Sequence, residues 1–335
     1  MVSTAPVDGR VEVVIRQVIL GSGPLALAVA DELSAKGETG IVVDRKGDAT
    51  VPPGFRALAA DLSRADALDE ALGAGRGAII YQCAAPPYHQ WAQFPALQRA
   101  ILTAAGRAGA RVVLGENLYG YGPVTGEMRE GTPLAATAKK GRIRARMSEE
   151  ALDAHRRGDV AVAISRASDY FGPRVVNSAL GDRAVGKLVR GGVAAVLGDP
   201  DQPHSWTYIR DAARTMVRLG IEERALGEVW HVPNNPAISA RAMLALVGAQ
   251  AGTPLKLRPV GALMLRFVGL FDPGARETIE MLYEFDRPFV ASDAKIRTAF
   301  GLMPSPLEPA IRETVAYFRT RHWRSSAARG AGAGS

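Results

Sequence analysis

The run Gly21-Ser22-Gly23-Pro24-Leu25-Ala26 sets two glycines and a small residue in the spacing G-x-G-x-x-G/A. The first glycine permits a tight turn, the second lets the backbone approach a pyrophosphate, and the third small residue brings the next helix close to the strand. Pro24 falls where a first helical turn needs no donor. The helix start then offers free amides and the positive end of its dipole to an anion. Asp44 stands 21 residues beyond Gly23, where an acid meets the adenosine ribose hydroxyls, and this points to NAD. Arg45 and Lys46 beside it suit a 2′-phosphate, so NADP stays open. Asp61, followed by Leu62, closes a third strand and is a candidate partner for the adenine amine.

The elements that must position these residues follow from apolar spacing. Val11 to Leu20 is rich in β-branched and aliphatic residues and stops at the glycine turn, and Leu25 to Lys36 carries apolar residues at helical spacing until Gly37. Ile41 to Asp44 reads as a second strand, so the first three elements form a βαβ unit with parallel strands. Strands are expected over Phe55–Ala59, Gly77–Cys83, Ala110–Leu114 and Val160–Ile164, with helices over Arg64–Leu72, Trp91–Ala108 and within Pro133–Arg157. Alternation on this scale predicts an α/β fold with a doubly wound parallel sheet, a Rossmann domain over 1–166. After Arg166 the elements shorten, and three of the four tryptophans follow. Helices are expected near Asp211–Leu219, Ala240–Ala251, Ala275–Phe285 and Leu307–Tyr317, in a smaller mixed substrate lobe over 167–322. Residues 323–335, ending in Ala-Gly-Ala-Gly-Ser, read as a frayed, flexible tail.

Composition narrows the function. The chain has 335 residues, 47% hydrophobic and 22% charged, which suits a folded globular protein of two domains or one with an appendage. Its net charge of +7 is scattered, without a basic stripe interleaved with aromatics, which argues against nucleic acid as a partner. The stretch Gly77 to Gln98 lacks charge, but its prolines and glutamines read as a buried strand and a loop beside a cleft, with no membrane partner. One cysteine, Cys83, and no visible secretory signal suit a reducing cytoplasm. The five histidines and Cys83 have no metal-ligand spacing, so no metal is expected. Tyr121 after the fifth strand and Tyr88 in the uncharged loop are candidate proton donors, with Tyr170, His89 and His204 as further choices. Trp91, Phe94, Trp206 and Trp230 are candidates to line an apolar substrate pocket, which favours an apolar or aromatic small molecule over a sugar nucleotide.

Taken in order, these segments resemble the short-chain dehydrogenase/reductase superfamily, in its extended, epimerase/dehydratase-like branch. Beyond the glycine turn, Ala84-Ala85 looks like that family's small-residue pair beside the cofactor, and Leu118-Tyr119-Gly120 looks like its Val-Tyr-Gly segment. Arg166 to Pro173 is similar to its segment after strand six, and Trp206 to Asp211 is similar to an element of its substrate lobe. The resemblance implies a tyrosine one helical turn before a lysine, with a Ser or Thr nearby. Lys140 matches the lysine, which would bind the nicotinamide ribose, but Ala136 stands at the tyrosine position and Gly115 at the Ser/Thr position. Glu116 and Asn117 fall where dehydratase-type relatives place an acidic pair, which makes Glu116 a candidate general acid or base if burial raises its pKa. The resemblance therefore implies an atypical NAD(P)-dependent oxidoreductase, in a family where homodimers are common, with Lys140 orienting the cofactor and Tyr121, Tyr88 or Glu116 moving the proton. A non-catalytic dinucleotide sensor and a non-redox isomerase or cyclase remain alternatives.

Overall fold

The computed structural model describes residues 17–72, 77–270 and 273–331, with described side chains ending at Arg321. The front of the expected first strand, Val11 to Arg16, and all of 1–16 lie outside the described residues.

Seven parallel strands form the central sheet: β1 (Gln17–Leu20), β2 (Gly40–Asp44), β3 (Phe55–Ala59), β4 (Ile79–Gln82), β5 (Arg111–Asn117), β6 (Ala161–Ala167) and β7 (Val229–His231). Their order across the sheet is β7-β6-β5-β4-β1-β2-β3. Helices α1 (Pro24–Ala35), α2 (Ala65–Leu72), α3 (Phe94–Arg107) and α4 (Lys139–Arg156) provide the crossovers. The strands are apolar on both faces because both are covered. Val18, Leu20, Ile80, Val112 and Leu114 pack toward α2, α3 and α4, while Ile19, Val42, Tyr81 and Val113 pack toward α1 and the Ile209–Ile221 helix. The chain reverses direction across the sheet between β1 and β4, and this switch point opens the crevice beyond the carboxyl ends of those strands.

β5 runs three residues past the expected Leu114 because β6 offers a ladder partner at each step, through Asn117 opposite Ala167. A further apolar cluster gathers Phe171, Leu180, Val196, Trp206, Leu244 and Phe318 from the part of the chain that follows β6. The expected helix over Ala275–Phe285 is instead an α-helix over Pro273–Thr278 followed by a 3₁₀ segment over Ile279–Glu284. The last helix spans Leu307–Ala331, so its backbone continues through most of the segment read as a frayed tail. Ala310, Ile311, Val315 and Phe318 anchor it in that cluster, and the Ala- and Arg-rich continuation has high helix propensity.

Candidate functional site

At the switch point, Gly21 has φ +101, and a Cβ there would lie 3.0 Å from the Ala84 backbone, so both conformation and space require glycine. Gly23 is the N-cap of α1 and caps it with no side chain. A Cβ on Gly23 would meet nothing within 4 Å. The exposed helix start thus faces open space, bounded by Ser22 and by Ala84 at the end of β4. Asp44 sits at the end of β2, where its Oδ1 accepts from the amides of Lys46 and Gly47 at 2.9 and 2.7 Å. Burial opposes ionisation there, yet the Ser22 hydroxyl and those two amides outweigh it and hold the carboxyl below its usual range. Asp44 is therefore ionised and linked to the turn. Arg45 is exposed, and Asp61 is engaged by the hydroxyl and amide of Ser63, beside buried Leu62. Ala85 follows Ala84 on the exposed side of the loop. This end of the crevice fits an adenosine diphosphate: a bare helix N-terminus for the phosphates and an anchored acid for the ribose.

The surroundings of Lys140 differ from the expectation. Lys140, 1% exposed, lies in the first turn of α4, and its Nζ donates to Glu280 Oε1 at 2.7 Å and to a carboxylate oxygen of Glu277. Both glutamates come from the helical segment over 273–284. Its ammonium also stands 4.6 Å from the centre of the Tyr88 ring. Tyr88 packs edge-on to Trp91 at 5.2 Å, and Trp91 in turn lies 5.8 Å from the Tyr119 ring. Burial raises the pKa of both phenols. Lys140 and Tyr88 are thus brought together, with Tyr119 nearby across Trp91.

Glu116 and Tyr121 belong to a separate, deeper network. Glu116 Oε2 accepts from Arg166 Nη2 at 3.0 Å and Nε at 3.2 Å, and Arg166 also donates to Ser148 at 2.6 Å. Tyr121 Oη donates to His231 Nε2 at 2.7 Å, while His231 Nδ1 donates to the Ser292 carbonyl at 2.8 Å. Burial pushes the His231 pKa down to about 4, so the ring is neutral at pH 7. The Arg166 guanidinium lies 4.8 Å from the Tyr121 ring centre and joins the two halves. Asn117 accepts from the Tyr119 amide at 3.3 Å and caps the short helix that follows β5.

Gly115 and Ala136 both sit in close surroundings. A Cβ on Gly115 would lie 3.1 Å from the Gln82 carbonyl and from Leu25 Cδ2, so Leu25 occupies the space beside it. Ala136 is wedged between Gly122 and Gly141, where added Cβ atoms would stand 2.7 Å from its Cα and 2.5 Å from its methyl. Trp91, Phe94, Trp206 and Trp230 are all buried and pack among core residues. His204 Nε2 pairs with Asp169 at 2.9 Å and stacks on Trp206, Phe285 and Phe289. Glu284, which no sequence signal singled out, is fully buried. Among the described residues no His/Cys/Asp/Glu group could hold a metal ion, and no helix is long and apolar enough to cross a membrane.

The chain is similar to a dTDP-glucose 4,6-dehydratase of Actinoplanes sp., 27% identical over 207 residues, which are 61% of this chain and 58% of that protein. Thus the chain spans less than two thirds of the curated relative it matches. Among solved structures, the dTDP-glucose 4,6-dehydratase of Bacillus anthracis in complex with NAD superposes with a TM-score of 0.74 at 16% identity, covering 91% of this chain and 97% of that one. The epimerase of Methanothermobacter thermautotrophicus gives a TM-score of 0.77 at 14% identity, covering 92% and 94%. At these identities the structural likeness speaks for the fold. The profile of the NAD dependent epimerase/dehydratase family matches residues 18–232, well over half of the sequence, so the chain belongs to that family.

Proposed function

We propose that the protein binds NAD and acts as an atypical epimerase/dehydratase-like oxidoreductase on a small, uncharged metabolite of apolar or aromatic character. The observation that carries this reading is the open space over Gly23, at a helix N-terminus linked through Ser22 to the ionised Asp44. The amides of the first turn would hold the pyrophosphate, and Asp44 the adenosine ribose. That carboxylate favours NAD over NADP, because it would repel a 2′-phosphate. When bound, NAD supplies an acceptor and donor of hydride. Lys140, clasped by Glu277 and Glu280, would meet the nicotinamide end, and Tyr88, whose ring faces the Lys140 ammonium at 4.6 Å, would be the hydroxyl that moves a proton there. Glu116 and Tyr121 instead brace the carboxyl ends of β5, β6 and β7 through Arg166 and His231. The carboxylates of Asp169, Glu277 and Glu280 gather at this end and outnumber the Lys140 ammonium, which would disfavour a substrate that carries a diphosphate.

A titration with NADH, followed by fluorescence or calorimetry, tests the reading: saturable binding at one site is expected, and no binding would refute it. A second reading, a dinucleotide sensor without turnover, is favoured by the clasp of Glu277 and Glu280 on Lys140. Turnover of any keto or hydroxy compound that disappears in Lys140→Ala would reject the sensor. Product mass separates redox chemistry, which changes the substrate by H₂, from isomerisation, which leaves its mass unchanged.

A further inference from the structure

From Ala262 to Leu270 every residue except Arg266 is apolar or glycine, and Ala262–Val268 is an α-helix. A helix that is apolar all round is ordinarily buried. Only one side of this one is: Ala262 and Leu265 pack with Leu197, Val260, Ile279 and Leu282. On the other side Leu263 is 82% exposed, Phe267 69% and Leu270 74%, with Met264 also exposed. Spaced four and then three residues apart, Leu263, Phe267 and Leu270 share one face of the helix and the turn that ends it. An exposed apolar cluster of this kind marks an interaction surface. The charge beside it is of one sign. Between Pro254 and Phe271 the chain carries Lys256, Arg258 and Arg266, all exposed, and no Asp or Glu.

We infer that this helix seats the protein on an anionic membrane surface, with Leu263, Phe267 and Leu270 entering the boundary between headgroups and acyl chains and Lys256, Arg258 and Arg266 meeting the lipid phosphates. The stem of Arg266 can lie along the apolar face while its guanidinium stays among the headgroups. Charge decides between a bilayer and a second copy of the chain. A two-fold pairing through this face would set the three cations of each copy against those of the other, with no acid from the same stretch to neutralise them. An anionic bilayer complements them, and the net charge of +7 acts in the same direction. The contact is interfacial, since among the described residues no helix is long and apolar enough to cross a bilayer. It is also a different surface from the uncharged Gly77–Gln98 stretch, from which no membrane partner is expected. Leu265 packs against Ile279 and Leu282 of the 3₁₀ segment that brings Glu280 to Lys140, so the seated face adjoins the candidate site without depending on what that site binds.

Flotation of the full chain with lipid vesicles tests this. Vesicles of phosphatidylcholine with about one third phosphatidylserine are expected to carry the protein at low ionic strength, and pure phosphatidylcholine vesicles far less. Leu263→Glu combined with Leu270→Glu is expected to weaken binding about 100-fold or more, because two apolar side chains lose their burial. Lys256→Glu combined with Arg258→Glu is expected to weaken it about 25-fold or more, at about fivefold for each cation. All four side chains are exposed, so the melting temperature should stay that of the wild type in both variants. No flotation of the wild type, equal flotation on neutral vesicles, or wild-type binding in either variant would overturn the inference. So would a dimer in sedimentation velocity that anionic vesicles leave intact and Leu263→Glu dissociates, the result expected if a second copy covers this face.

Discussion

Gly23→Val separates folding from cofactor binding more sharply than any other single change. The backbone at Gly23 has φ −74 and ψ 179, an extended conformation open to valine, and an added Cβ has nothing within 4 Å. Glycine is a better N-cap than valine, so the variant should lose about 0.5–1 kcal/mol of stability. For a chain of 335 residues, with an unfolding entropy of about 0.7 kcal/mol/K, that lowers Tm by about 1 °C. The effect on a dinucleotide should be far larger. The first intrahelical bond of α1 runs from Leu27 to the Gly23 carbonyl at 3.0 Å, so the preceding amides of Leu25 and Ala26 have no partner within the helix. A valine side chain would stand where a pyrophosphate reaches them. Each hydrogen bond to a charged group contributes about 1.5–3 kcal/mol. Losing both costs about 3–6 kcal/mol, or roughly 100- to 10,000-fold in affinity. Calorimetric titration with NADH beside a thermal melt measures both quantities. Wild-type affinity in a well-folded Gly23→Val protein would show that no phosphate sits over this turn.

Other outcomes follow from the same geometry. Asp44→Ser should lower NADH affinity and raise the preference for NADPH, because Arg45 and Lys46 remain beside the vacated acid; an unchanged ratio in paired titrations would place the ribose elsewhere. Arg166→Met should destabilise by about 3–5 kcal/mol by leaving Glu116 buried and unpaired, as read from the urea midpoint, with Glu116→Gln in the same chain restoring part of it. His231 titrates near 4 when folded and near 6.5 when unfolded. The unfolded state therefore binds more protons between those values, so stability falls as pH drops from about 6.5 to 4, by about 3 kcal/mol, and levels off below. Urea midpoints across that range should show this slope, and His231→Asn should flatten it.

Much of the fold was legible because local signals agreed with one another. Phe55–Ala59 and Ala240–Ala251 matched from end to end, since a β-bounded apolar run and a helical periodicity closed by Gly252 leave little choice. Elsewhere tertiary partners moved the boundaries. β5 passes through Gly115 to Asn117 only because β6 lies alongside. The segment expected to be one helix near 275–285 changes to a 3₁₀ turn where Glu280 meets both the Lys139 amide and Lys140.

The glycine turn and the acid linked to it were written into the chain itself, because a tight glycine bend and a strand-end carboxylate are contiguous features whose geometry depends on nearby residues. The partners of Lys140 were not. Glu277 and Glu280 are 137 and 140 residues away in sequence, and nothing in the spacing of acids distinguishes them from a solvated face. The same holds for Glu284, whose full burial follows from the folded chain and from no local signal. Residue type sets what a side chain can do. Burial and partners, which only the folded chain supplies, decide which of those things it does.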